Sequence, residues 1–242
     1  MYLIKSNKAP LYSLIFRILG LLVAISAITL QLFTNAIIGK GFMANHVLAY
    51  FTIQTNILSA LVFLSLIIKA IVVYIKEGKL KNVEINHSVH LACTFYITIT
   101  MTVYWTALAP MLGVGDTPLT ICNTLFLHLF TPLMAIIDCL LFLEHGRLKK
   151  IDSLKWLAYP VAYLVSVIII ANVSKVPYYK FKVGDEIISL HYPYPFLEPQ
   201  IVGYWGLAGV SALLLIICAG FGLLYIVIDN KIAKALEPKL EA

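Results

Sequence analysis

The stretch that decides the fold runs from Leu119 to Leu143 and reads LTICNTLFLHLFTPLMAIIDCLLFL. It is long and apolar enough to cross a hydrocarbon core of about 30 Å as an α-helix. His128 lies inside it, and an ionisable group at such depth costs roughly 2.5 kcal/mol or more when charged, so it normally faces a bundle interior. Pro132 lacks the N–H that would bond the His128 carbonyl. The sequence therefore predicts a kinked helix with a free acceptor beside an imidazole.

The rest of the chain has the same apolar character. It has 242 residues, of which 61% are hydrophobic and 12% are charged, and its mean hydropathy of +0.91 lies outside the range of soluble domains. We therefore predict an all-α polytopic membrane protein, a six-transmembrane-helix bundle forming a single integral membrane domain over residues 1–242. The predicted spans are Leu11–Asn35, Val47–Ile75, Ser88–Leu112, Leu119–Leu143, Ser153–Asn172 and Ile201–Asp229.

The basic residues predict the orientation of the bundle. One side holds Lys5, Lys8, Lys76, Lys79, Lys81, Arg147, Lys149, Lys150, Lys231, Lys234 and Lys239, and the other holds Lys40, Lys175, Lys180 and Lys182. The positive-inside rule places the richer side, with both termini, in the cytoplasm. Arg17, Lys69 and Lys155 are expected to snorkel from helix ends on that side. We expect a bacterial plasma membrane protein that contacts the lipid bilayer. A nucleic-acid partner is not expected, because the sequence lacks the clustered basic and aromatic residues that would bind one.

The sequence predicts neither a cofactor nor a metal site. The four cysteines, which all lie within spans and form no CxxC pair, are expected to be apolar filler: Cys93, Cys122, Cys139 and Cys218. Four possible ligands recur every three residues: Glu84, His87, His90 and Cys93. Three residues of an α-helix fall roughly 60° short of a full turn, so Cys93 is expected to face away from Glu84. The two histidines are therefore interpreted as solvated side chains at the cytoplasmic interface.

The depth of two polar residues in the membrane, and the helical faces on which they lie, predict that they are close together. Thr52 lies ~8 Å below the outer end of the second span, and His128 lies ~13 Å below the outer end of the fourth. Polar stripes at helical spacing mark three spans: Thr52, Thr55, Asn56 and Ser59; Thr94, Thr98, Thr102 and Trp105; and Thr124, His128, Thr131 and Asp138. We expect these stripes to face one interior, with Asp138 too deep to orient His128. The alternative is that small and hydroxylated residues simply pack the helices.

The segment from Val173 to Gln200 is predicted to be a structured external loop. Residues 179–188 alternate around a Gly-Asp turn, as a small hairpin does. Residues 192–199 interleave three prolines with aromatic side chains, which makes a stiff segment suited to the membrane interface. A loop of this kind fits a lid or a substrate entrance, or alternatively an interfacial anchor that contacts no site.

Several of these segments resemble one family. They are Tyr194-Pro195-Phe196-Leu197-Glu198, Tyr50-Phe51-Thr52, Tyr104-Trp105, and His128 ten residues before Asp138. In order and spacing the chain resembles the androgen-induced-protein/FAR-17a family, and more closely its bacterial relatives, the Pr6Pr-type six-helix membrane proteins. The animal members hydrolyse fatty acid esters of hydroxy fatty acids with an intramembrane threonine and a histidine. The resemblance implies a nucleophile at Thr52 and a base at His128.

The expected function is therefore hydrolysis of a fatty-acyl ester in a lipid-like substrate that enters from the bilayer. Imidazole is the usual base for a hydroxyl nucleophile. Candidates for binding the substrate or its oxyanion are Asn56, Trp105, Asn123, Tyr194, Phe196 and Glu198. Glu198 is expected either to tie the loop to a helix end or to meet a lipid headgroup. The alternative function is non-catalytic lipid binding or transport in the same pocket, and the sequence leaves the oligomeric state open.

Overall fold

Six long helices make up most of the protein, which a computed structural model describes over residues 3–4, 6–37, 47–174 and 176–237. All six are long and apolar enough to cross a membrane, which confirms the predicted number of spans. They are α1 (Ala9–Ile37), α2 (Phe51–Glu77), α3 (His87–Leu112), α4 (Pro118–Phe142), α5 (Lys150–Val173) and α6 (Pro199–Leu236). The basic residues Lys5, Lys40, Lys175 and Lys239, used above to predict orientation, lie outside the described residues.

Local signals explain where several helices begin and end. The hydroxyl of Thr117 accepts from the backbone N–H of Thr120 ahead of Pro118, so α4 begins with a capping box and a proline. Gly78 adopts a left-handed conformation, with φ of 69°, at the end of α2. In α6, Gly203 has φ of 71° and ψ of 167°, so the first turn is set off from the rest of the helix.

Helix α3 forms the centre of the bundle. In its most apolar window 67% of the residues are buried, against 17–44% in the other five helices. Its side chains Phe95 and Tyr96 pack with Trp156 and Tyr163 of α5 in the largest apolar cluster. On the other side of the molecule α1 lies close against α2, because Gly20 leaves room for the ring of Phe63 at a point where a Cβ would come within 2.7 Å.

The loop between α5 and α6 contains the predicted hairpin. Strands β1 (Tyr179–Val183) and β2 (Glu186–Leu190) pair antiparallel, with Val183 opposite Glu186 around the Gly184-Asp185 turn. A short 3₁₀ turn at Pro195–Leu197 then leads into α6. The alternating sequence therefore predicted this part of the loop correctly.

Two helices contain a π-helical turn just before a proline. In α4 the π turn covers Phe126–Phe130 and Pro132 follows; in α3 it covers Tyr104–Leu108 and Pro110 follows. Each proline lacks an N–H and crowds the preceding turn, and a wider turn accommodates both effects. The expected distortion of α4 at His128 therefore takes the form of a π turn, and α3 has a counterpart that the sequence analysis missed.

The prediction that Arg17 snorkels to the membrane surface is wrong. Its side chain is buried, with 1% of the residue exposed, and its Nε donates to Asp138 Oδ1 at 2.9 Å. His90, predicted to be solvated, is equally buried and places Nε2 3.3 Å from Asp138 Oδ2. A charge inside a helix bundle needs an opposite charge as its partner. Arg17 of α1 and His90 of α3 therefore pair with Asp138 of α4 and do not extend to water. Lys69 and Lys155 do reach the surface, where Lys155 pairs with Asp152.

A second buried pair joins the α4–α5 connection to α6. His145 Nδ1 lies 2.8 Å from Asp229 Oδ1, and its Nε2 lies 3.0 Å from the carbonyl of Leu140. Both partners are acceptors, so both ring nitrogens must donate and the imidazole is charged. Burial is the largest influence and opposes this charge, but the hydrogen bonds to Asp229 and the Leu140 carbonyl, together with the negative charge of Asp229, raise the pKa of His145 overall. No sequence pattern indicated this contact.

Candidate active site

Thr52 and His128 meet inside the bundle. Thr52 lies in the first turn of α2, and its Oγ1 is 3.4 Å from Nε2 of His128 in the π turn of α4. Both residues are buried, with 8% and 9% exposed. The distance slightly exceeds the usual hydrogen-bond range of about 2.6–3.2 Å for a nucleophile and its base, which is often looser without substrate. The expected proximity from depth and helical face is therefore what the structure contains.

A backbone carbonyl fixes the tautomer of His128. Its Nδ1 lies 3.1 Å from the carbonyl oxygen of Thr124, one turn earlier in α4. A carbonyl can only accept, so Nδ1 carries the proton and Nε2 of the neutral ring presents a lone pair to Thr52. In many sites that pair a nucleophile with a histidine, a third group orients the imidazole. For His128 the orienting group is a main-chain carbonyl oxygen.

Two neighbouring aromatic residues of α3 hold the imidazole in place. The ring of Tyr104 stacks on that of His128, with centroids 3.7 Å apart and planes 16° apart. The indole Nε1 of Trp105 donates to the His128 carbonyl at 2.9 Å. That carbonyl is the acceptor released by Pro132, so the sequence correctly predicted the free acceptor but not its partner. Trp105 was predicted to bind substrate, and the structure gives it this positioning contact instead.

A mostly apolar cavity of about 70 Å³ opens beside Thr52. It lies between α2, α3, α5, α6 and the loop that precedes α6. The hydroxyl-bearing residues in its wall are Thr52, Thr100, Tyr163 and Tyr194, and the others are Phe51, Ile99, Val103, Leu108, Pro160, Leu164, Phe196, Leu197, Leu214, Leu215 and Cys218. His128 does not line the cavity, whereas Thr52 contacts both His128 and the cavity. Such a lining suits an apolar chain with one polar group at Thr52.

The asparagines named as oxyanion donors point elsewhere. Nδ2 of Asn56 donates to the carbonyl of Thr52 at 2.8 Å and to that of Leu127 at 3.2 Å. Nδ2 of Asn123 donates to Gln31 at 2.7 Å. Neither residue lines the cavity. Asn56 instead joins the two helices that carry Thr52 and His128, because each of its acceptors is one of these residues or its neighbour.

The loop before α6 contributes two of its three predicted residues to the cavity. Tyr194 and Phe196 line it and stack on each other, with ring centroids 5.3 Å apart. Glu198 is buried and accepts from the backbone N–H groups of His191 at 2.6 Å and Tyr192 at 3.2 Å. It also caps α6 through Gln200. Glu198 therefore ties the loop to the helix end, which is one of its two predicted roles, and it does not line the cavity.

The residues that recur every three positions from Glu84 to Cys93 have different partners in the structure. Glu84 contacts Arg147 and the backbone of Glu144, whereas His90 turns to Asp138. Cys93 packs with apolar side chains. Within the described parts of the chain, no three histidine, cysteine or carboxylate side chains come together as metal ligands would.

Comparison of the chain with models of protein families, with curated proteins and with solved structures finds no match.

Proposed function

We propose that the protein hydrolyses a lipid ester within the membrane, with Thr52 as nucleophile and His128 as general base. The observation that carries this proposal is the lone pair of His128 Nε2 facing the Thr52 hydroxyl at 3.4 Å, with Nδ1 committed to the Thr124 carbonyl. A threonine hydroxyl becomes an effective nucleophile when an adjacent base takes its proton. The buried contacts around the imidazole support a role that needs a fixed orientation.

The reaction follows from this arrangement. The proton of Thr52 moves to His128 Nε2 as Oγ1 bonds to the acyl carbon of the ester. The protonated imidazole then gives that proton to the leaving alcohol as the carbon–oxygen bond of the ester breaks. A water molecule then gives a proton to the same nitrogen as its oxygen bonds to the acyl carbon of the acyl-threonine. The bond between that carbon and Oγ1 breaks, His128 Nε2 returns the proton to Oγ1, and the carboxylic acid leaves. The neighbouring cavity is lined mostly by apolar side chains, which supports the binding of an apolar group next to Thr52.

A fluorophosphonate probe tests the nucleophile directly. Purified protein in detergent should form a covalent adduct that maps to Thr52, because the activated hydroxyl displaces fluoride from phosphorus. The variant Thr98→Ala, which removes another buried threonine hydroxyl, should label like the wild type. An adduct elsewhere, or none at all, would favour the lipid-binding or transport function and contradict the hydrolase.

We further propose that both termini are cytoplasmic and that the hairpin is external, since basic residues are concentrated on the side of the termini. Two exposed positions, Asp185 in the hairpin turn and Lys79 after α2, report the two sides. In a Cys122→Ser background, which removes the exposed native cysteine, Asp185→Cys should react with an impermeant maleimide on intact cells. Lys79→Cys should react only after permeabilisation, and the reverse pattern would invert the topology.

A further inference from the structure

We propose that the hydroxyl of Tyr194 donates a hydrogen bond to the carbonyl oxygen of the substrate as Thr52 attacks. This inference rests on the hydrolase function proposed above and assigns its oxyanion donor. An ester carbonyl gains negative charge on oxygen when a hydroxyl adds to carbon, and a positioned donor stabilises that charge most when water is excluded. The donor must therefore share the cavity with the Thr52 hydroxyl.

Among the hydroxyl groups that line the cavity, the donors other than Tyr194 are committed. The hydroxyl of Thr100 lies 2.8 Å from that of Thr55 and 3.3 Å from the Tyr96 carbonyl. The hydroxyl of Tyr163 donates to the carbonyl of Ala49 at 3.0 Å, and this bond holds the start of α2. The phenol of Tyr194 has no backbone carbonyl as a partner in these contacts and interacts with the Thr52 and Tyr163 hydroxyls, so a carbonyl that binds beside Thr52 can recruit its donor.

The position of Tyr194 brings its phenol against the nucleophile. Its ring lies edge-on to Tyr50 at a centroid distance of 5.9 Å and stacks on Phe196, so both neighbours restrict it. Tyr194 and Thr52 line the same cavity, and the Tyr194 phenol interacts with the hydroxyl and backbone N–H of Thr52, with the Tyr163 hydroxyl and with the backbone N–H of Phe51. A carbonyl oxygen entering there would meet the phenol at the moment Oγ1 reaches the acyl carbon.

The environment also keeps the phenol protonated. Burial raises the pKa of Tyr194, and the Thr52 hydroxyl opposes this effect without reversing it. A protonated phenol donates one hydrogen bond, whereas a phenolate would repel the developing oxyanion. The residue comes from the loop before α6 and not from a long helix, so the loop supplies a catalytic group as well as a wall of the cavity.

The variant Tyr194→Phe isolates the hydroxyl because it keeps the stacked ring. With p-nitrophenyl decanoate as substrate, we expect kcat to fall by about 10²–10³ while KM stays within a few-fold, as when an oxyanion donor is removed. An apolar trifluoromethyl ketone, which forms a tetrahedral oxyanion on the nucleophile, should lose affinity by a similar factor. Tyr192→Phe is the matched control: it lies two residues earlier, is buried, and does not line the cavity.

The outcomes separate this inference from the proposed function. Wild-type hydrolysis that requires Thr52, together with an unchanged kcat for Tyr194→Phe, would overturn the role of Tyr194 and leave the hydrolase intact. A loss of kcat accompanied by an equal loss in Tyr192→Phe, or by unchanged ketone affinity, would also overturn it, because a packing defect explains that pattern. A wild-type protein that cleaves no ester would overturn both.

Discussion

Replacing Thr52 with alanine is expected to abolish ester hydrolysis, with kcat/KM reduced on the order of 10⁴ to 10⁶ because the attacking atom is gone. His128→Ala should lose at least about 10²–10⁴, the usual contribution of a general base. The double variant should be no worse than Thr52→Ala, since residues that act as a unit are not additive. The measurement is steady-state hydrolysis of a p-nitrophenyl acyl ester by detergent-purified protein.

Stability measurements show whether a loss of activity comes from the missing catalytic group or from unfolding of the protein. The Thr52 hydroxyl is uncharged and contacts the side chains of His128 and Tyr194, so Thr52→Ala should cost only about 1 kcal/mol of unfolding free energy. Thr98→Ala is a matched control, because it removes a buried hydroxyl that lies 2.6 Å from the hydroxyl of Tyr225. That control should keep its activity, and Thr52→Ser should keep part of it. Hydrolysis by Thr52→Ala at the wild-type rate would eliminate the nucleophile assignment.

The variant Asp138→Asn is expected to destabilise the bundle by about 3–5 kcal/mol, because it leaves the buried Arg17 guanidinium without its counter-charge. A large fall in Tm in detergent, or in the denaturant midpoint, would report this loss. Any activity of the remaining folded protein should be close to normal, since neither Thr52 nor His128 contacts Asp138.

An exposed carboxylate provides the comparison for this variant. Glu77→Gln removes one member of a surface pair with Lys81, in which both side chains are more than a third exposed, so solvent screens the interaction. Its cost should be ~0.5 kcal/mol or less. Equal Tm values for Asp138→Asn and Glu77→Gln would contradict this prediction, because the buried ion pair would then contribute no more to stability than the exposed one.

Sequence and structure agree where a rule depends on spacing along one segment. Apolar length predicted the six helices, alternation around Gly184-Asp185 predicted the hairpin, and depth with helical face brought Thr52 to His128. The first two properties are local to one segment, whereas the third compares positions along two spans, and all three can be read from the sequence.

The missed contacts are those that depend on which helix lies next to which. Arg17 sits eight residues into α1, and its spacing gives no sign of a carboxylate on α4. The stacking of Tyr104 on His128 likewise follows from packing, although Pro110 could have revealed the π turn in α3 by analogy with Pro132. The sequence also contains no sign that the amide of Asn56 donates to two backbone carbonyls and that of Asn123 to Gln31, because a polar side chain near a site can equally bond to its own surroundings.

The π turn of α4 also decides which changes in chain length the site can bear. It carries one more residue per turn than an α-helix, so the halves of α4 on either side of it are offset by roughly 100°. His128 can therefore face α2 while Asp138 faces α1 and α3 from the same helix. Deleting a single codon within residues 126–130 would remove that offset and swing one polar group away from its partner, even if every side chain elsewhere were kept. The length of this turn therefore determines whether both polar groups meet their partners, whatever apolar side chains lie between them.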